Sequence, residues 1–412
     1  MKNGIVIIGG GIAGSALAVA LARNGIRTTL IEREAQWTPL SSGLFIYSNG
    51  VFALERLGVL DNICASGWVS ADGDNLYLTA EGDEITRTIY PGIGDRVPPI
   101  VGMRRVELHR VLASTLEKLG VEVRLGVTVA LIDDSNAAKP VRVTLSDGSE
   151  LSCDVLVGAD GIRSHIRTHL FGAIEPTYTG FGVWRSIHAK PAAIDTKIMM
   201  MGLGTRLGIM PISRDQLYLF GTTREPNKPY YPRDTWADVM RAKFAAFGGP
   251  AAPLLAEIES PEQVFYTSVE EVHLSLPWSR GRVLLIGDAA HSSSPFMGQG
   301  GAMALEDAVL LADMLAEAGD VPATLTDFAE RRYERCKFVQ DASRRVGEAG
   351  ASEDAETIKM RTPRMRLHAQ NDVDTFYARM MQWPGIDPSQ PASNFPSIPV
   401  APVRCQQAPA AH

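Results

Sequence analysis

The chain has 412 residues, 45% of them hydrophobic and 21% charged, enough for two or three domains around a sizeable core and ordinary for a globular protein. Its formal net charge is −7 with acids and bases interspersed, so nothing points to nucleic acid or to an anionic membrane surface. No apolar stretch reaches about 18 uncharged residues, which excludes an expected membrane span. The four cysteines, Cys64, Cys153, Cys336 and Cys405, lack metal-ligand spacing and read as free thiols of a reducing compartment, with cytoplasm as the default.

The first apolar run, Ile5-Val6-Ile7-Ile8, reads as a strand of the fold rather than a signal peptide. It meets Gly9-Gly10-Gly11-Ile12-Ala13-Gly14 and then an alanine-rich helical stretch, so the order is strand, tight turn, helix. Gly9, Gly11 and Gly14 fit G-x-G-x-x-G: one glycine for the turn, one for close approach of a pyrophosphate, one for helix–strand packing. Phosphates would lie at the helix N-terminus, where free N–H groups favour negative charge. A second strand, Thr28 to Ile31, ends at Glu32, 18 residues after Gly14, about where a carboxylate for a ribose hydroxyl is expected. The fingerprint alone leaves NAD and FAD open.

Further along, helical patterns are expected over 51–57 and from Arg104 to Gly120, followed by strands at 121–125, 129–133 and 141–145 and a hairpin turn at Asp147-Gly148. From about Gly180 to Val272 the texture changes to strand-like runs, at 182–188, 197–201, 207–210 and 216–222, with an amphipathic helix over 236–247. That reads as a mainly antiparallel sheet with a helix, a second layer distinct from the nucleotide domain. Arg282 to Ile286 returns as a parallel-type strand, and helices are expected over 300–316, 324–347 and 372–381. Seven prolines from Pro384 to Pro409 mark a poorly ordered tail.

Two more motifs separate the cofactors. Asp160-Gly161-Ile162-Arg163 follows one buried strand; Gly287-Asp288-Ala289-Ala290-His291 follows another and leads into Gly298-Gln299-Gly300-Gly301-Ala302. Asp288 at a strand end suits sugar-alcohol hydroxyls, and the Gly298–Gly301 turn opens a helix whose N–H groups can face the negative charge of a reduced flavin. The three motifs in this order, over roughly residues 1–345, resemble the FAD-dependent aromatic hydroxylases, the flavoprotein monooxygenases typified by p-hydroxybenzoate, salicylate and 3-hydroxybenzoate hydroxylases. The resemblance implies an α/β fold with a Rossmann-like FAD-binding domain built on a parallel sheet, plus a mainly antiparallel substrate-binding sheet. It implies a discontinuous FAD domain of residues 1–75, 98–178 and 275–345, a substrate domain of 76–97 and 179–274, C-terminal helices over 346–383 and the tail 384–412. By the same resemblance Gly9, Gly11 and Gly14 hold the pyrophosphate, Glu32 the ribose, Arg33 lies near the adenosine, and Ile12, Ala13 and Val129 are further cofactor-binding positions. Arg105, in its R-x-x-L helix start, lies along FAD; Asp160 serves FAD and NAD(P)H; Asp288 takes the ribityl chain. Pro295, Gly298, Gly300, Gly301 and Ala302 approach the isoalloxazine.

The implied reaction is reduction of the flavin by NAD(P)H, with no second nucleotide fold, then O2 addition and oxygen transfer from a flavin C4a-hydroperoxide to a small aromatic or heteroaromatic, phenolic or carboxylated ring. Pocket candidates are Phe45 and Tyr47, then Arg206, Met210, Tyr218 and Phe220, and Pro295 with Phe296. Several relatives carry His and Tyr where this chain has Arg206 and Met210. An arginine is a poor base, because its pKa exceeds ~12, but a good anchor for a carboxylate or phenolate. The alternative for Arg206 is a surface cation, and for Met210 and Phe220 core positions. His291 reads as structural, His109 and His165 as surface or cap residues, and His188 as a weak base candidate. A larger polycyclic, quinone or antibiotic substrate, a flavin-dependent reductase and a non-catalytic dinucleotide sensor are the competing functions; no W-x-W-x-I-P motif marks a halogenase. Monomer or homodimer is the expected state.

Overall fold

The strand Ile5–Ile8 is buried along its whole length, as expected for a β-branched run inside a parallel sheet with helices on both faces. The computed structural model describes residues 2–37, 42–136 and 139–382; the expected tail, with Cys405, lies outside them. Ile5–Ile8 pairs in parallel with Val155–Gly158 on one side and Thr28–Glu32 on the other, with Ile5 opposite both Val155 and Thr28. The six-stranded order is Ser279–Arg280, Val283–Leu285, Val155–Gly158, Ile5–Ile8, Thr28–Glu32, Glu122–Leu125, antiparallel only at its Ser279–Arg280 edge. The helices Ile12–Arg23 and Gly300–Ala316 pack on each other over this sheet, alanines at the seam allowing close approach.

A seven-stranded sheet forms the second layer, in the order Val264–Glu271, Thr177–Ala189, Gln216–Arg224, Thr205–Pro211, Lys197–Met201, Asp74–Thr79, Glu84–Ile89. Only Lys197–Met201 and Asp74–Thr79 run parallel. Alternation sorts its side chains. Trp184, Ile198, Met200, Leu207, Ile209, Leu217 and Leu219 point one way and make a core with Met240, Phe244 and Leu254. Arg185, Lys197, Arg206, Met210, Tyr218 and Phe220 occupy the other face, the register setting Tyr218 opposite Met210 and Phe220 opposite Gly208. That face meets a small sheet of Gly43–Tyr47, Ile100–Arg104 and Trp68–Ser70.

Several boundaries differ from expectation. The helix expected over 236–247 stops at Lys243 and a separate one runs Ala251–Ala256, divided by the Gly248-Gly249-Pro250 turn. The C-terminal helix spans Ala355–Met380, far longer than expected, with Pro363 inside it; its start is capped by Asp354, whose carboxylate accepts from Thr357 N at 2.8 Å. The helix Leu60–Ser66 and the strands Asp74–Thr79 and Glu84–Ile89, which carry mixed polar sequences, were invisible to periodicity. Among the described residues no helix is long and apolar enough to cross a membrane.

Candidate active site

The glycine turn has the geometry its spacing calls for. Gly9 sits at φ +105°, and a Cβ there would lie 2.4 Å from Ala159 O; one on Gly14 would lie 1.9 Å from Gly9 O. A Cβ on Gly11 would meet nothing within 4 Å, so the backbone is bare on the side where a phosphate would approach. Ile12 and Ala13 begin the helix, and their N–H groups have no acceptor within it. The Glu32 carboxylate accepts from Gly10 N at 2.7 Å and Glu34 N at 2.9 Å, and Arg33 is exposed beside Glu34. His109, expected as a surface or cap residue, is instead buried, 2.9 Å through Nε2 from Gly10 O, and so helps hold the turn from the helix Arg105–Lys118.

A second open helix start lies beside the first. Gly298 is left-handed at φ +64°, a Cβ on it would run into the Phe45 ring at 2.5 Å, and a Cβ on Gly301 would meet only Leu44 and Ile12 side chains at 3.8 and 3.9 Å. Asp288, first residue of a short helix, is exposed and has no side-chain partner among the described residues. Arg105 is exposed at its own helix start, Val129 is half-buried at the head of its strand, and Ala302 is buried. Two bare glycine turns, free helix N–H groups and an unpaired carboxylate between them fit an extended dinucleotide such as FAD.

Buried charge braces both turns. Asp307 accepts from Gly287 N (2.8 Å), His291 Nε2 (2.7 Å) and Arg332 Nε (2.7 Å). Burial opposes its ionisation, but the His291 and Arg332 cations outweigh that and hold Asp307 down to about 2. Glu306 accepts from Arg332, Arg335 and Asn49, and Asn49 also donates to Gln299 at 2.9 Å, at the mouth of the Gly298–Gly301 turn. His291 is therefore a structural ion-pair partner, as expected. The proximity of His291, Asp307 and Cys336 has the look of a metal site, but the Arg332 cation already occupies the carboxylate.

The pocket candidates come together on the inner sheet face. Tyr218 stacks on Phe220 at 5.3 Å and lies where a Cβ on Gly43 would collide with it, at 2.2 Å. Phe45 is 5.6 Å from Phe220 and 5.5 Å from Tyr47. Phe296 follows the exposed Pro295 in a single turn and stands under the Arg206 guanidinium, 5.3 Å from it. Arg206 is only 7% exposed, which removes the surface reading; its Nε has no partner and no acid pairs with it among the described residues. Burial pushes it down to about 10, so it remains charged at neutral pH. Met210 is fully buried beside Tyr218.

The FAD binding domain family model matches residues 2–345. The chain belongs to the FAD-dependent aromatic hydroxylases. It is 31% identical to aurachin C monooxygenase/isomerase of Stigmatella aurantiaca, over 93% of this chain and 99% of that protein. It is 33% identical to 2-heptyl-3-hydroxy-4(1H)-quinolone synthase of Pseudomonas aeruginosa, over 88% and 94%. Among solved structures, Klebsiella pneumoniae HpxO complexed with FAD and uric acid superposes with TM-score 0.82 at 25% identity, covering 92% of this chain and 97% of that one.

One further expectation for this flavoprotein hydroxylase, His188 as a base, is corrected by its geometry. His188 turns to the core face, where Ser186 Oγ lies 2.7 Å and Glu257 3.1 Å away, so it does not face the pocket. Asp160 spends its carboxylate on the turn itself, accepting from Ser164 Oγ, His165 N and Ile166 N at 2.5, 2.7 and 3.1 Å. Sequence reasoning missed Lys197, Tyr77, Tyr90 and Tyr377, which pack behind Tyr47. Lys197 opens a strand, where a lysine normally reads as a solvated end, and Tyr377 arrives from the C-terminal helix.

Proposed function

We propose that the chain is an NAD(P)H-consuming, FAD-dependent monooxygenase that hydroxylates an aromatic or nitrogen-heteroaromatic ring bearing an acidic group. The observation that carries this reading is the Arg206 guanidinium, buried and without an acid among the described residues on the sheet face that meets Phe45 and the Gly298–Gly301 turn. A buried cation is costly until an anion joins it, and a planar guanidinium suits a carboxylate or ring oxygen. The uric acid bound by HpxO and the quinolone in the synthase's name are nitrogen heterocycles with oxygens attached to the ring carbons, which supports that chemistry. Met199, Met201 and Met210 on the same face offer an adaptable apolar wall, which favours as a second reading a substrate with an alkyl tail or further rings.

Gly9, Gly11, Ile12, Ala13 and Gly14 would hold the FAD pyrophosphate, Glu32, Arg33 and Val129 the adenosine end, and Arg105, the backbone of the turn that Asp160 braces, and Asp288 the stretch toward the ring. Pro295, Gly298, Gly300, Gly301 and Ala302 would border the isoalloxazine. When bound, FAD supplies hydride acceptance from NAD(P)H and activation of O2. The protein's part is placement. Arg206 anchors the acid and, as a fixed positive charge, lowers the pKa of a nearby ring hydroxyl. Phe45, Phe220 and Phe296 wall the site and exclude water.

An aerobic NAD(P)H-oxidation screen against hydroxypyridine acids, urate, phenolic acids and 4(1H)-quinolones, with peroxide scored alongside, tests this. A product heavier by one oxygen with little peroxide is the expected result. Flavin-loaded protein that consumes NAD(P)H but incorporates no oxygen with any of these would overturn it in favour of a reductase.

A further inference from the structure

Behind Phe45 lies a cation that the reaction scheme above does not use. Lys197 is 3% exposed at the start of its strand. Its Nζ stands 2.9 Å from the Tyr47 hydroxyl and 3.3 Å from that of Tyr90. The Tyr90, Tyr47 and Phe45 rings surround it at 4.6, 5.1 and 5.7 Å. No carboxylate pairs with it among the described residues. Asp195, two residues earlier, turns away to Lys190 at 3.0 Å and to Trp68 Nε1 at 3.1 Å.

The cage adjoins the flavin turn on two sides. Phe45 is the ring that a Cβ on Gly298 would strike. Tyr377, 5.8 Å from Tyr47 and 5.4 Å from Tyr90, accepts from Gln299 Nε2 at 3.3 Å. Lys197 also shares its sheet face with Arg206, since Met201 pairs with Arg206 and lies four residues along the same strand. One face thus carries two buried cations, with no anion between them among the described residues.

We propose that Lys197, oriented by Tyr47 and Tyr90, is the counter-cation of an ionised ring oxygen of the substrate, so that the ring meets the flavin as its anion. This rests on the monooxygenase reading above and deepens it: Arg206 takes one acidic group and Lys197 a second, more weakly acidic one. In the proton step the ring O–H bond breaks, its electron pair stays on oxygen, and an N–H bond forms on Lys197 Nζ; nothing is oxidised or reduced. The resulting anion is the electron-rich form that electrophilic oxygen transfer needs.

The groups facing Lys197 leave it free to take that proton. Burial lowers it to about 7, and the Arg206 cation adds to the effect. Tyr47 from its strand, Tyr90 and Tyr77 from the sheet edge and Tyr377 from the C-terminal helix are all raised by burial, so each stays a neutral hydroxyl. The amine is therefore partly unprotonated at neutral pH, and an arriving anion would draw its pKa up.

The probe is 4-nitrophenol, whose absorbance distinguishes phenol from phenolate, added to FAD-loaded enzyme below the probe's own pKa. Wild type is expected to bind it as phenolate. Lys197→Met should weaken binding about tenfold or more and leave the bound probe as phenol, whereas Lys197→Arg, a permanent cation, should keep the phenolate. Flavin content of each variant reports folding. A Lys197→Met enzyme that binds phenolate as wild type does, or a wild type that binds only phenol or none, overturns the proposal. NAD(P)H oxidation and oxygen incorporation, read on the same preparations, decide the monooxygenase reading separately.

Discussion

On the proposed reading, Arg206 and Asp288 separate substrate binding from cofactor binding. Asp288 is exposed, without a side-chain partner among the described residues and on the strand-end turn, so its loss would remove the proposed cofactor contact and little else. Asp288→Ala should weaken FAD retention roughly 10- to 100-fold, the scale of a hydrogen bond to a charged group, read from the flavin-to-protein absorbance ratio after gel filtration. Arg206→Ala should raise KM for an acidic substrate by a similar factor with flavin content unchanged. Lys197 adds a stability signature. Its folded pKa of about 7 lies below the ordinary lysine value near 10.4, so between those pH values the unfolded chain holds the extra proton and stability rises with pH. The cost of burying the charge is fully present below about pH 7. Lys197→Met should therefore raise Tm by a few degrees at pH 7 or below, the gain shrinking as pH approaches 10; a variant that melts lower at every pH would assign Lys197 a structural role instead.

At the scale of the element, two glycines make contrasting tests. A Cβ on Gly14 meets the Gly9 carbonyl at 1.9 Å, and backbone cannot step aside. Gly14→Ala should yield little soluble flavoprotein. A Cβ on Gly208 meets Phe220 Cζ at 2.1 Å, the tip of a side chain that can swing into the pocket. Gly208→Ala should keep its flavin and lose turnover, measured as kcat/KM against flavin content. The first glycine was legible in the sequence because dinucleotide turns impose a spacing; the second was not, because its neighbour across the strands is known only once register is known. The same divide runs through the site. The two glycine turns and Asp288 are local to strand–turn–helix units and could be read off directly. The Lys197 cage gathers residues from positions 45 to 377, and no local pattern announces it. Arg206 was visible as a departure from relatives, but its burial depended on Gly350, where a Cβ would crowd the guanidinium at 2.3 Å.

For the whole molecule, the Arg332 network is what joins the parts. Arg332 is 1% exposed and bonds Glu306 and Asp307 at 2.7 Å each, tying the helix Val321–Gly350 to Gly300–Ala316 and, through Asp307, to the Gly287-Asp288 turn. Removing one partner strands buried carboxylates. Arg332→Met should cost about 3–5 kcal/mol, read from the denaturant midpoint, with flavin retention falling in step if the braced turns hold the cofactor as proposed. Retained flavin at unchanged stability would show that Arg335 and His291 carry the network without it.

The strands of the seven-stranded sheet also obey a rule of parity. In Thr205–Pro211 and Gln216–Arg224 the even-numbered residues face the site and the odd-numbered ones the helical core; in Lys197–Met201 the assignment reverses. The two faces of the same strands therefore belong to different cores, one shared with the helices Trp236–Lys243 and Ala251–Ala256 and one with the nucleotide-type domain and the proposed site. A mutant library confined to positions 197, 199, 201, 206, 210, 218 and 220 explores new ligands while leaving Leu207, Ile209, Leu217 and Leu219 to hold the sheet against its helices.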